Sequence, residues 1–189
     1  HELEEVDAHG DLLKRNRHRL QEFEYVNLQS VLTTGAELKH WFPATSGLCF
    51  RRKILAQVLP MAEQFRVSAD SFLRLASIYC SAGILSPTPL AVHRNHGNNL
   101  YDFRSDIHVE RVKLGIKAAY YLRKKFPKTK KFSNQKFIFS TTKLIEYLNL
   151  QEVFKVKETS LYLQAEKSPD FRLCLLVYVL KAYVKKILS

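Results

Sequence analysis

The chain has 189 residues, of which 46% are hydrophobic and 25% charged, and its formal net charge is +12. This composition is typical of a globular protein and excludes a disordered chain, a collagen-like repeat and a small disulfide scaffold. The cysteines, Cys49, Cys80 and Cys174, are far apart and form no Cys-x-x-Cys pair. This spacing predicts buried, free thiols in a reducing compartment. The longest apolar run, residues 173–180, is too short to cross a bilayer.

Charge is distributed unevenly along the chain. Residues 1–100 are nearly balanced, whereas residues 101–189 carry almost all of the excess positive charge. Such asymmetry predicts two parts with different surroundings, which we place at 1–101 and 102–189. Because the first residue is His1 and not Met, we also expect the sequence to begin inside a longer protein or after a processing event.

The first 60 residues read as short elements joined by turns. Gly10 predicts a turn between a short extended piece and a surface loop. The apolar residues of 23–32 predict a helix, with Gly35 as its C-cap. Residues 40–50 contain Pro43 and Gly47 and are predicted as a loop, with 48–50 leading into a strand or a buried turn. Residues 51–59 predict a short helix that stops before Pro60.

The clearest helical pattern follows Ser68. Four apolar residues recur at the spacing of one helical face: Phe72, Leu75, Ala76 and Tyr79. Ser68 is the predicted N-cap and Gly83 the predicted stop, so Asp70 falls in the first helical turn. A carboxylate at this position is either a charge that stabilises the helix or a proton acceptor. Residues 90–92 then predict a short strand, which is followed by the polar string 93–99, where α/β sheets place ligand-binding residues.

Four motifs in this order resemble the second half of the catalytic domain of family 2 glycosyltransferases. They are the run Pro43-Ala44-Thr45-Ser46-Gly47-Leu48-Cys49-Phe50-Arg51-Arg52, the pair Leu59-Pro60, the segment Ser68-Ala69-Asp70-Ser71-Phe72-Leu73, and Pro89-Leu90 with His93-Arg94-Asn95-His96-Gly97-Asn98-Asn99. The resemblance covers residues 1–101. It implies an α/β chain, the acceptor-side half of an A-type glycosyltransferase fold, followed by an α-helical extension. The sequence departs from the family at Ala69 and His93 and contains no Asp-x-Asp motif, so the longer parent would be the active enzyme.

The resemblance implies transfer of a sugar from a nucleotide-sugar donor to an acceptor hydroxyl, with inversion and with the help of Mg²⁺ or Mn²⁺. Asp70 would be the general base, Arg94 and His96 would bind the diphosphate, and His96 would also be a metal ligand. The acceptor would be a saccharide, a lipid-linked molecule or a protein.

Other roles remain open for several of these residues. Thr45, Ser46 and Gly47 would line the acceptor pocket on the family reading, or else only shape a turn. Trp41 would stack on a sugar ring or serve as a core or lid residue. Arg94 could instead be a partner in a surface salt bridge.

Residues 102–189 predict helices at 107–123 and 133–149, and a last helix that Ser168 and Pro169 open and that reaches Leu188. The segments that join these helices are strongly basic, residues 124–131 above all. They predict either a solvated extension or contact with an anionic membrane, and no motif points to nucleic acid. The alternative function is therefore a non-catalytic basic helical module that docks on anionic lipid or an acidic partner. The expected location is the cytoplasm, at the inner face of the membrane if lipid is bound.

Overall fold

The structure, a computed structural model, describes residues 1–13, 20–40, 42–43, 45–63, 65, 68–96 and 106–188. The chain forms two compact units. Unit 1 comprises His1–Ser30 with Glu37–Ser105, and unit 2 comprises Val31–Ala36 with Asp106–Ser189. The fold is mixed α/β and mostly helical, which confirms the α/β class in its coarse form.

Among its described residues, unit 1 contains the helices α2 and α3 and two small sheets. Its elements are β1, Leu3–Val6; β2, Glu24–Val26; α2, Arg52–Val58; α3, Ala69–Cys80; β3, Gly83–Leu85; and β4, Ala91–Arg94. The strands β1 and β4 pair in parallel, whereas β2 and β3 pair antiparallel. Helices α2 and α3 pack together, and the apolar face of α3 is buried at Phe72, Leu75 and Ala76. Phe72 also stacks on Phe65, with ring centroids 5.0 Å apart.

Several local expectations for unit 1 need correction. The apolar stretch 23–32 is not one helix: β2 precedes α1, Gln29–Thr34, because its backbone groups pair with the distant β3. Residues 48–50 form no strand and lead from a 3₁₀ turn, Thr45–Gly47, into α2. Ser68 stands at the N-cap position of α3 and Asp70 lies in the first turn, both as predicted, but Ser68 has a left-handed φ of 51° and its side chain makes no capping hydrogen bond. Helix α3 ends at Cys80, before Gly83, which begins β3.

Other turn predictions are confirmed. Gly35 has a φ of 80° directly after α1, and its N–H donates to the Val31 carbonyl at 3.0 Å. Gly10, with a φ of 97°, lies in the turn after β1, where the Asp7 carboxylate accepts from the His9 N–H at 2.8 Å. Helix α2 ends at Val58, before Pro60.

Unit 2 consists of helices in its described part. They are the residues of α1 from Val31 onward; α4, Ile107–Lys125; α5, Lys130–Tyr147; α6, Leu150–Lys155; α7, Lys157–Ala165; and α8, Pro169–Leu188. Helix α5 packs against α4 and α8, and α4 also contacts α7. The core centres on Phe137, which stacks on Tyr162 with ring centroids 4.2 Å apart. The three long helices predicted from the sequence are thus confirmed, with shifts of a few residues at their ends.

One expectation about burial is wrong: Cys49 and Cys174 are exposed, although all three cysteines are free as expected. In helix α8, Leu173, Leu176 and Leu180 are all more than half exposed. Within the described residues, no helix combines the length and the hydropathy that a membrane span requires.

Candidate functional site

Unit 1 contains a cleft of about 490 Å³, called here the unit 1 cleft. Helix α3 contributes Arg74 and Ser77 to its wall, and residues of β2 and β3 also line it. Further lining residues come from 42–43 and 47–51. Residues distant in sequence therefore meet at one surface, which is the usual arrangement of a ligand site.

The 3₁₀ turn Thr45–Gly47 contributes Gly47 to the lining of the unit 1 cleft. The His1 nitrogen donates to the Gly47 carbonyl at 2.9 Å. A Cβ on Gly47 would lie 2.5 Å from Pro43 Cβ and 2.8 Å from the His1 carbonyl oxygen, so only glycine fits here without a shift of its neighbours. Thr45 and Ser46 are exposed and do not line the cleft. Of the three predicted pocket residues in this turn, the structure brings Gly47 alone to the cleft.

Arg74 is the charged group set deepest in the cleft wall. Its guanidinium lies over the Phe42 ring, 5.3 Å from the centroid. Its Nε is buried and has no hydrogen-bond partner among the residues described. Burial lowers the pKa of the Arg74 guanidinium, and the charge of Asp70 opposes this shift. An arginine held in this way favours an anionic ligand, because such a ligand would return the lost solvation.

A second unpaired group lies one turn further along α3. Ser77 is 8% exposed, lines the cleft, and its hydroxyl oxygen has no partner in the described part of the chain. Buried polar groups are normally hydrogen-bonded, so two unpaired groups on one wall indicate a place for a polar ligand. Arg51 adds a second guanidinium at the rim, and the lining contains no acidic side chain.

Asp70 does not line the cleft itself. It lies in the first turn of α3, half-buried, four residues before Arg74, and positions four apart share one helical face. The carboxylate is close enough for its charge to act on the guanidinium of Arg74. An acidic and a basic group therefore follow one another along the helix that forms the cleft wall.

Arg94 and His96 lie at the carboxyl end of β4, and both are exposed. The Asn95 N–H donates to the Val6 carbonyl at 2.7 Å, so the chain stays paired with β1 just beyond the strand. Strand β4 also lies against the 3₁₀ turn that contains Gly47. The carboxyl end of a parallel pair is where the sequence reasoning expected polar ligand-binding groups.

A metal site is not assembled by these groups. The described residues contain no group of three or more His, Cys, Asp and Glu side chains close enough to hold an ion. His96 is a suitable ligand type, but a divalent cation needs further ligands that the described part of the chain does not supply. Trp41, predicted to contact a sugar, lies outside the described residues.

Sequence reasoning missed Arg74 and Ser77. The signal for Arg74 was available, because it follows Asp70 by four residues on a helix whose apolar stripe was already recognised. Ser77 gave no signal, since an unpaired hydroxyl is visible only in three dimensions. Comparison with known proteins finds no matching family model, no similar curated protein and no similar solved structure.

Proposed function

We propose that this chain is the acceptor-side part of a family 2-like glycosyltransferase of A-type fold, which transfers a sugar from a nucleotide-sugar donor to an acceptor hydroxyl. The observation that supports the proposal is that one cleft receives a residue of one motif and a neighbour of another. Gly47 of the Thr-Ser-Gly turn lines the unit 1 cleft together with Arg74, which lies one helical turn after Asp70.

The proposed chemistry is a single displacement. The acceptor oxygen forms a bond to the anomeric carbon, the bond from that carbon to the diphosphate oxygen breaks, and the acceptor proton passes to the Asp70 carboxylate. Arg74 and Ser77 bind a polar or anionic group of the acceptor in the unit 1 cleft, which orients its hydroxyl. Arg94 and His96, at the exposed end of β4, are proposed to bind the diphosphate.

The donor side needs groups beyond those described. A Mg²⁺ or Mn²⁺ ion, where bound, would stabilise the charge that develops on the leaving diphosphate. The described residues offer only His96 of the proposed set as a ligand and do not by themselves make a divalent-metal site. The proposal therefore assigns this chain the acceptor, the base and part of the diphosphate contact.

The test is the variant Asp70→Asn in the longest natural polypeptide that contains this sequence. The amide keeps the shape of the side chain but cannot take a proton, so we expect turnover to fall by about 10²–10⁴-fold with little change in donor affinity. Sugar release from a panel of nucleotide sugars, with candidate acceptors, measures the rate.

The matched control is Asp11→Asn, which removes an exposed carboxylate of the same unit and should leave turnover unchanged. Wild-type turnover in the Asp70→Asn variant would refute the assignment of the base. Absence of sugar transfer by the wild-type polypeptide with every donor would refute the transferase itself.

A further inference from the structure

The C-terminal helix α8 exposes a continuous apolar stripe, called here the α8 stripe. Its residues are Leu173 (65% exposed), Leu176 (54%), Val177 (40%), Leu180 (55%), Val184 (56%), Ile187 (80%) and Leu188 (81%). Their spacing of three and four residues places them on one side of the helix. Scattered apolar residues on a surface are ordinary, but seven on one helical face form a patch that requires an explanation.

The stripe is distinct from the face by which α8 packs in unit 2. Phe171 and Ala182 are buried against α5 and its neighbours, and Leu175, Val179 and Tyr183 are partly buried there. The helix is therefore apolar on two opposite sides, and only one of them is covered by the described residues of this unit. Val177, Leu180, Val184 and Leu188 also border a shallow groove together with two lysines.

Those lysines, Lys181 and Lys185, are exposed beside the stripe. Lys181 places its ammonium 5.6 Å from the centroid of the Tyr178 ring, so its stem lies along the helix surface. Lys185 is 3.2 Å from a Glu146 carboxylate oxygen and still has an exposed side chain. Arg172 is exposed near the beginning of the helix, where Asp170 is the one acidic residue of α8.

We propose that the α8 stripe inserts into the headgroup region of an anionic lipid membrane, with α8 parallel to the surface. Apolar side chains with lysines along their border are the features of helices that lie in the interface, where long basic side chains reach up to the phosphates. Each basic residue near such a surface contributes roughly 1 kcal/mol of attraction, which is about fivefold in binding.

Charge decides between a membrane and a second copy of the chain as the occupant. A second copy that met this stripe through its own α8 would offer Lys181 and Lys185 no acidic row, because Asp170 is the one acidic residue of that helix. Anionic headgroups instead compensate these charges while the acyl chains cover the stripe. This inference does not rest on the proposed transferase activity.

The experiment is sedimentation of the full chain with vesicles of phosphatidylcholine alone, or of phosphatidylcholine and phosphatidylglycerol at a ratio of about three to one. We expect binding to the anionic vesicles that weakens, but does not vanish, as salt rises, because insertion of the stripe is not screened. The variant Leu180→Asp should weaken this binding about tenfold or more. Lys181→Gln should weaken it about fivefold.

Two control variants distinguish insertion of the α8 stripe from nonspecific adsorption of the protein to vesicles. Phe139→Asp changes a side chain of α5 that is 62% exposed, and Lys128→Gln changes an exposed lysine in the 3₁₀ turn Pro127–Thr129; both should bind as the wild type does. All variants change exposed residues, and circular dichroism checks that they fold. Absence of vesicle binding, equal binding to neutral vesicles, or equal losses in the test and control variants would each overturn the proposal. A stable dimer that binds no vesicle would assign the stripe to a second copy.

Discussion

At the scale of single residues, the strongest electrostatic feature of unit 2 is the buried carboxylate of Glu166. It is 1% exposed and lies 2.9 Å from an Arg123 guanidinium nitrogen and 3.2 Å from the Lys130 ammonium. The Ser168 N–H donates to its other oxygen at 2.9 Å. Burial alone would raise the pKa of Glu166, but the Ser168 hydrogen bonds, the Lys130 hydrogen bond and the Arg123 charge outweigh it and lower the pKa to about 2.

This depressed pKa makes the stability of unit 2 depend on pH. The ordinary pKa of the carboxyl is 4.5, so its contribution is complete above that pH and is lost as the pH falls toward the folded-state value of about 2. We expect Glu166→Gln to lower the free energy of unfolding by on the order of 3 kcal/mol at pH 7, and by less than half as much at pH 3. Urea denaturation at the two pH values measures both differences. The control is Glu152→Gln, which removes a more exposed pair with Lys155 and should change the free energy of unfolding by less than about 1 kcal/mol. An equal loss for Glu166→Gln at both pH values would show that the lowered pKa of Glu166 does not stabilise unit 2.

The residues of the candidate site were predictable in part. The first-turn position of Asp70 followed from the apolar period of α3, and the loop before α2 was indicated by Pro43 and Gly47. The lack of room for a Cβ at Gly47 is visible only in the structure. The left-handed φ of Ser68 was not predictable, because a serine before an apolar helical face ordinarily caps through its side chain. Arg74 and Ser77 are identified by the buried Nε and Oγ atoms that have no hydrogen-bond partner among the described residues. Whether such an atom has a partner depends on residues distant in sequence, so the sequence does not show it.

At the scale of elements, α4 and α5 make an unusually close approach. A Cβ on Gly115 of α4 would contact the hydroxyl of Ser140 on α5 and would lie 3.1 Å from its Cβ. Both residues are buried. The absence of a side chain at position 115 therefore lets α4 and α5 pack at short range.

We expect Gly115→Ala to lower the free energy of unfolding by about 1–2 kcal/mol. Overpacking costs about 1–3 kcal/mol, and the better helix propensity of alanine recovers up to about 1 kcal/mol of it. Thermal or urea unfolding of unit 2 followed by circular dichroism measures the change. Ser140→Ala removes the contacting hydroxyl, so it should restore part of the loss when combined with Gly115→Ala. The matched control is Gly83→Ala, because nothing lies within 4 Å of the new Cβ there. A Gly115→Ala variant as stable as this control would show that α4 and α5 can move apart without loss of stability.

The helices were more predictable than the strands for a physical reason. Helices α4 and α5 are long, so apolar residues at helical spacing recur over several turns of each. Strands β2 and β3 have three residues each, and they pair with one another although α2 and α3 lie between them in the sequence. Pairing over such a separation leaves no local signal, so the stretch 23–32, which contains β2, was predicted as a helix.

At the scale of the whole molecule, the excess of positive charge in residues 101–189 is visible in the sequence, but the membership of residues 31–36 in unit 2 is not. These residues pack with unit 2, and Leu32 is fully buried. A segment of six residues carries too little periodicity to indicate which core it joins. Each unit has its own buried aromatic centre, Phe72 in unit 1 and Phe137 in unit 2.

Two separate cores predict that damage to one unit leaves the other folded. Phe137 is fully buried, so Phe137→Ala should cost unit 2 about 3–5 kcal/mol. Hydrogen exchange followed by mass spectrometry should then show faster exchange in peptides of α4, α5 and α7, with wild-type rates in α2 and α3. The reciprocal variant Phe72→Ala removes a side chain that is 2% exposed in unit 1 and should accelerate exchange in α2 and α3 alone. Because each variant is the control for the other, faster exchange throughout the chain in both would show that the two units unfold as one cooperative domain.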